Sequence, residues 1–195
     1  MTDIYESDAA STPLTPDERK GLIPTHITVR RELNELEQKN ILEADMWVFQ
    51  RKRKILDERF LCRLHKRMFG QVWKWAGAYR TTERLNLGVP VWQIETDLRK
   101  TVGDARYWIE HNTYEPDEIA VRFHHRLVVI HPFPNGNGRW SRLAADVLVA
   151  ELGQPRLTWG RTNLQNADES RRFYIEALRA ADNHDILPLL AFARA

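Results

Sequence analysis

The chain has 195 residues, 43% hydrophobic and 29% charged, with 29 Lys and Arg against 27 Asp and Glu and a formal net charge of +2. This mixture excludes wholesale disorder, and basic residues that alternate with acidic ones disfavour a nucleic-acid partner. One cysteine, Cys62, excludes an internal disulfide and a Cys-rich zinc site, while no apolar run nears the ~20 residues of a membrane span.

The polar, acidic start lacks the basic and apolar regions of a secretory signal, so a cytoplasmic protein is expected. The first 24 residues are rich in Ser, Thr, Pro and Asp without periodicity, and residues 1–27 read as a polar arm with at most a few turns. Apolar spacing predicts a helix over 28–40, with Leu33, Leu36 and then Ile41 inward. A helical stretch over 42–70 follows, broken near 56–59. In it Met46, Phe49, Phe60, Leu64, Met68 and Phe69 are expected to face inward, with Gly70 as the stop. Cys62 is read there as a buried, inert thiol.

The string VWKWAGAYRTTERLNLGVPVWQI changes texture, with aromatic and β-branched residues around Asn86, Gly88 and Pro90. It predicts a short hairpin. Helical texture returns over 95–110, 116–130 and 138–152. The second of these opens on Pro116, Asp117 and Glu118, which suit a first turn, and the third closes at Gly153. Two more helices are expected over 169–185 and 186–195. The reading is an all-α domain over 28–195 with one small β-hairpin ahead of the central helices.

IHPFPNGNGRWSR, residues 130–142, carries the chemistry. Pro132 takes the chain out of the helix at His131. Gly136 and Gly138 allow a ligand close approach to the main chain, and a helix start after a glycine turn is an anion nest. Arg139 and Arg142, three apart, can point the same way. A phosphate-sized anion would then sit beside an imidazole able to accept a proton. His124 and His125, adjacent on one helix, face different sides and cannot chelate one ion together. One reads as core-facing and the other as a supporting partner.

HPFPNGNGRWSR resembles the active-site signature of the Fic family, His-x-Phe-x-(Asp/Glu)-Gly-Asn-Gly-Arg-x-x-Arg. The resemblance extends to FHHRLVVIHPF and VWKWAGAYR and covers roughly residues 28–190. Within the family the chain is most similar to the subgroup labelled mobile mystery protein B, which has similar ELNELEQ and HPFPNGNGR strings. The resemblance implies a Fic-type helical domain that transfers AMP from ATP to a Ser, Thr or Tyr hydroxyl of a target protein. It implies His131 as general base and Phe133 as loop anchor. Gly136, Asn137 and Gly138 would form the anion hole, with Arg139 on the α/β-phosphates and Arg142 on the γ-phosphate. The segment 81–93 would be the flap that registers the target's backbone.

Asn135 is the one departure from the signature. It stands where the family usually has an acidic Mg²⁺ ligand, and an amide oxygen brings no charge. Another nucleotide, phosphotransfer, or a nucleotide-binding module without turnover are the alternatives that this substitution keeps open. The resemblance also implies a candidate inhibitory helix over 28–40. Glu37, ahead of Glu32 and Glu35, is expected to pair with Arg142 and occupy the γ-phosphate position; without such a helix, restraint would come from a separate antitoxin-like regulator.

Overall fold

The computed structural model describes residues 14–84, 87–160 and 167–195. Among them the chain forms eight α-helices and one 3-10 turn, with no β-strand. The helices are α1 (Pro16–Arg19), α2 (Arg30–Phe49), α3 (Glu58–Phe69), α4 (Ile94–Glu110), α5 (Pro116–Ile130), α6 (Asn137–Glu151), α7 (Ala167–Asp182) and α8 (Leu187–Arg194).

The expected polar arm is docked over the part described. Thr15 and Glu18 close a capping box on α1, with Glu18 N–H on Thr15 Oγ1 at 3.3 Å and Thr15 N–H on Glu18 Oε2 at 2.8 Å. Beyond it the chain bonds to the turn after α3. Ile23 N–H donates to Val72 O at 2.8 Å, and Lys74 N–H donates to Gly21 O at 2.8 Å.

α2 runs unbroken where two helical stretches were expected. Its buried stripe is Leu33, Glu37, Asn40, Ala44 and Val48, a helical period with two polar members. Met46, expected inward, is 54% exposed. An apolar-only reading follows the wrong stripe, because Glu37 and Asn40 hide the real one. In α3, Asp57 caps the start by accepting from Phe60 N–H at 2.7 Å, and Gly70 ends the helix as expected. Phe60, Leu61, Leu64, Met68 and Phe69 are buried. Cys62 is half-buried, and burial pushes its thiol up from the usual range, in line with an inert role.

α5 and α6, joined by only a short loop, pack side by side as the central pair. One core lies between them and α2, α3 and α4, around Leu64, Leu98, Phe123, Leu127 and Trp140. A second lies between their other faces and α7 and α8, around Ala120, Ala145, Val149, Trp159 and Leu189. Trp159 donates its indole N–H to buried Asp146 at 2.8 Å there.

The expected hairpin over 81–93 forms no strand ladder among the described residues, and Leu85 and Asn86, its centre, lie outside them. The ends of the segment bond the 130–132 backbone instead. Arg80 N–H donates to Pro132 O at 2.8 Å and Val89 N–H to Ile130 O at 3.3 Å. The segment closes in the 3-10 turn Val91–Gln93.

Candidate active site

α5 ends at His131, which caps the helix in the left-handed region (φ 51°, ψ 58°), with its N–H on Leu127 O at 3.2 Å. A non-glycine residue there is uncommon and costs on the order of 1 kcal/mol, so the surroundings must hold it. Phe133, wholly buried, anchors the next turn as expected. It stacks on His65 (centroids 3.8 Å) and meets Trp140 edge-on at 4.9 Å.

Asn137 locks this turn. Its Oδ1 accepts from Phe133 N–H at 3.0 Å, and its Nδ2 donates to Phe133 O at 2.8 Å. The side chain is therefore scaffold, and only the backbone at 137 borders the anion site. Gly136 sits at φ 80°, and a Cβ there would lie 2.6 Å from the Phe69 ring. Both conditions require glycine. α6 starts immediately after, with no side chain capping it, and Gly136, Asn137 and Gly138 border the same cavity. A Cβ on Gly138 would meet nothing within 4 Å. A helix start whose N–H groups no side chain caps has the geometry of an anion nest.

Three residues hold the loop from outside, and none was singled out in the sequence. His65 of α3 accepts Gly77 N–H on Nδ1 at 3.0 Å, which leaves Nε2 protonated to donate to Asn135 O at 3.0 Å. Burial brings its pKa down to about 3, so the ring stays neutral and the tautomer fixed. Arg80 is buried, and among the described residues its hydrogen bonds go to main-chain oxygens: His131 O at 2.7 Å, Thr82 O at 3.2 Å, Val89 O, and Ile130 O at 3.5 Å. Arg84 grips both Glu18 carboxylate oxygens at 2.7 Å and reaches Pro134 O at 3.2 Å, tying α1 to the loop.

The signals for these residues were faint. His65 lies on the apolar stripe of α3, where a polar residue is anomalous. Arg80 ends the string VWKWAGAYR, which the resemblance covers without giving the arginine a role.

His131 itself is 8% exposed. Burial first, then the charge of Arg80, bring its pKa down to about 4, against a backbone hydrogen bond at Val128; Arg84 adds to the lowering. At neutral pH the imidazole is unprotonated and able to accept a proton.

The cations occupy different places. Arg139 binds Glu37 Oε2 at 2.6 Å, lies over the Phe69 ring at 4.8 Å and approaches Asn135 Oδ1 at 3.5 Å. Glu37 Oε1 accepts the Trp73 indole N–H at 2.7 Å, and this carboxylate is almost wholly buried. Glu37 was expected on Arg142. α2 instead meets the first turn of α6, which carries Arg139. Arg142, one turn further on, hydrogen-bonds Gly138 O at 3.2 Å and lies over Tyr174 of α7 at 5.4 Å. Glu32 and Glu35 are exposed, and Glu35 faces Arg31 at 3.6 Å. Of the two neighbouring histidines, His124 is buried and bonded to Tyr174 Oη at 3.0 Å, while His125 pairs with Asp182 at 2.8 Å.

These groups surround one cavity of about 1040 Å³, large enough for a nucleotide. Among the described residues its lining includes Arg30, Arg84, Arg139, Arg142, Arg171 and Arg179 against only two carboxylates, Glu37 and Asp182. Such a balance favours a polyanion. No cluster of three or more His, Cys, Asp or Glu able to hold a metal occurs among the described residues. The side-chain oxygen at the signature's acidic position, Asn135 Oδ1, is neutral and already close to a guanidinium.

Residues 55–149 match the family model described as Fic/DOC family. The chain belongs to the Fic/DOC family. It is 30% identical over 133 residues to protein adenylyltransferase Fic of Nematostella vectensis, covering 66% of this chain and 29% of that protein. It is 31% identical over 132 residues to the protein of the same name from Drosophila yakuba, covering 66% and 25%. The chain thus spans less than a third of the curated relatives it matches. Among solved structures, BepC of Bartonella tribocorum with bound AMPPNP superposes with a TM-score of 0.69 at 17% identity, over 92% of this chain and 97% of that one. Fic-1 of C. elegans superposes with a TM-score of 0.67 at 23% identity, over 90% and 51%. A Fic domain of Bartonella quintana with bound ADP gives 0.66 at 18%, over 87% and 86%. The helical Fic fold is therefore common to this chain and these solved structures, and the 131–142 segment carries this chain's match to the Fic signature.

Proposed function

We propose that this chain is a protein adenylyltransferase that moves AMP from ATP to a Ser, Thr or Tyr hydroxyl of a target protein. The observation that carries the reading is a neutral, buried His131 placed beside an uncapped helix start and two arginines in one cavity. The relatives named protein adenylyltransferase Fic support it.

In this reading the His131 imidazole takes the proton from the target hydroxyl as its oxygen bonds to the α-phosphorus. The bond from that phosphorus to the bridging oxygen breaks, and pyrophosphate leaves. The backbone N–H groups at 137 and 138 and the Arg139 guanidinium receive the charge that develops on the β-phosphate side. Arg142 serves the γ-phosphate. To use Arg139, the nucleotide must displace Glu37, so Glu37 restrains the site from within the chain.

Magnesium would enter largely on the triphosphate oxygens and water, with Asn135 Oδ1 as a single neutral protein ligand. When bound, it supplies charge neutralisation between the phosphates.

Incubation of the protein and a cell lysate with ATP labelled at the α- or the γ-phosphate tests the reading. The α-label should move onto protein, and His131→Ala should lower that transfer by roughly 10²–10⁴-fold with ATP binding retained. Transfer of the γ-label would replace the reading with phosphotransfer. Binding with neither label transferred would make the chain a nucleotide-binding module.

A further inference from the structure

We propose that Arg80 is a positioning residue for the transfer reaction, fixing the general base His131 by gathering the backbone of the Fic loop and of the following segment onto one guanidinium plane. The proposal rests on the adenylyltransferase reading above.

Arg80 is 2% exposed, and among the described residues no carboxylate is hydrogen-bonded to it; the charges of Glu83 and Glu18 favour its cation and that of Arg84 opposes it. The acid it approaches is Glu83, at 3.7 Å with a side chain 60% exposed. A buried cation with no carboxylate in hydrogen-bond contact is costly and survives where every donor is used. Here each nitrogen is used. Nε holds His131 O, Nη1 holds Thr82 O, and Nη2 holds Val89 O with Ile130 O at longer range, while the residue's own N–H holds Pro132 O. The planar fork of arginine has the donors and directions for this; a lysine ammonium does not.

The arrangement also accounts for the backbone of the base. In the left-handed conformation the His131 carbonyl leaves the helical ladder and needs a donor, which Arg80 Nε provides at 2.7 Å. Gly88 completes the packing. A Cβ there would lie 2.6 Å from Arg80 Nη2 and 2.9 Å from His131 Cβ, so the segment closes directly over both residues. The same guanidinium is a positive charge beside the imidazole and disfavours its protonation. Arg84 acts on the ring in the same sense, while Arg139 and Arg142 on α6, Glu37 on α2 and Asp182 on α7 line the rest of the cavity.

Arg80→Met and Arg80→Lys separate geometry from charge. The measurements are α-label transfer at saturating ATP, ATP affinity by calorimetry, titration of the His131 ring by NMR, and thermal melting. Arg80→Met should lower kcat by about 10–100-fold at unchanged ATP affinity, the scale of a small misplacement of a catalytic group. His131 should titrate closer to 6.5 than in the wild type, where burial and Arg80 hold it at about 4. Arg80→Lys should keep the low titration, because the charge remains, yet still lose kcat.

Folded Arg80→Met with wild-type kcat and wild-type His131 titration would overturn the proposal, even with a lower melting temperature. If Arg80→Met fails to fold, Arg80→Lys decides: wild-type kcat overturns the proposal, and reduced kcat at unchanged affinity supports it. If the wild type transfers no nucleotide, the functional reading fails by itself, and the NMR titration still decides whether Arg80 governs His131.

Discussion

Glu37→Gln tests the Glu37–Arg139 pair at nearly constant shape. The carboxylate is 9% exposed and holds two donors, Arg139 at 2.6 Å and the Trp73 indole at 2.7 Å. An amide oxygen can still accept from Trp73, so the local packing of α2 on the Trp73 turn is kept. The lost element is the anion that competes with phosphate for Arg139. A charge-assisted hydrogen bond contributes about 1.5–3 kcal/mol. Arg139 is 31% exposed and water screens part of the attraction, which favours the lower end of that range, so ATP should bind roughly tenfold tighter.

The gain should be smaller for AMP, which has no β-phosphate to take the vacated guanidinium. Calorimetry with ATP and AMP measures both, and α-label transfer at low ATP should rise with the affinity. Glu35→Gln is the control, since Glu35 is exposed and faces only Arg31 at 3.6 Å. Equal ATP affinity in Glu37→Gln and wild type would refute the competition. Arg139 would then be a structural partner of α2, and the phosphate role would pass to Arg142 and the helix start.

Two further outcomes are expected. Asn135→Asp puts a carboxylate where the family signature has one, and the magnesium needed for half-maximal transfer should fall; an unchanged requirement in a metal titration would show that Asn135 is not a metal ligand. His65 and His124 both have folded pKa values of about 3 against 6.5 for the free side chain. Between those values the unfolded chain binds protons that the native chain excludes, so stability is full above pH 6.5 and is lost as pH falls toward 3. The loss is at most roughly 5 kcal/mol per histidine. Urea melts from pH 7 to 4 should show this decline, and a flat profile would mean that the two rings are not held neutral by burial.

The parts of the fold legible in the sequence were those where apolar period and punctuation agree. α5 was expected over 116–130 and forms there, because Pro116 and two acids open it and Pro132 closes it. Gly70 and Gly153 likewise mark their helix ends. The Fic loop was legible because its glycines, prolines and cations stand in one short string. The α2 stripe was not, because Glu37 and Asn40 occupy core positions and shift the apparent apolar face toward Met46. The 81–93 segment, whose described residues form no strand, departs from the expected hairpin for a related reason. β-branched and aromatic residues signal an extended chain but do not say what it bonds to, and here its described ends take the loop backbone, the Arg80 side chain and one Val91 N–H to Glu83 carboxylate bond in place of a ladder.

The positions whose partners the sequence did not show share a chemistry. Glu37, His65, Arg80 and Asn137 are buried polar groups, each satisfied by partners far from it in sequence or by loop backbone, and such pairing leaves no periodic trace. Their partners also differ in kind. His65 and Asn137 each hold a backbone N–H and a carbonyl at once, a donor–acceptor pair that an anion entering the cavity cannot replace, and Arg80, whose donors all take carbonyls, is 2% exposed and does not line the cavity. Arg139 is held by a carboxylate, which a phosphate oxygen can replace bond for bond. The loop is therefore fixed where His131 must be aimed and exchangeable where the nucleotide must bind. A ligand that carries the right charge can compete for Arg139 without unmaking the backbone bonds that keep the base in place.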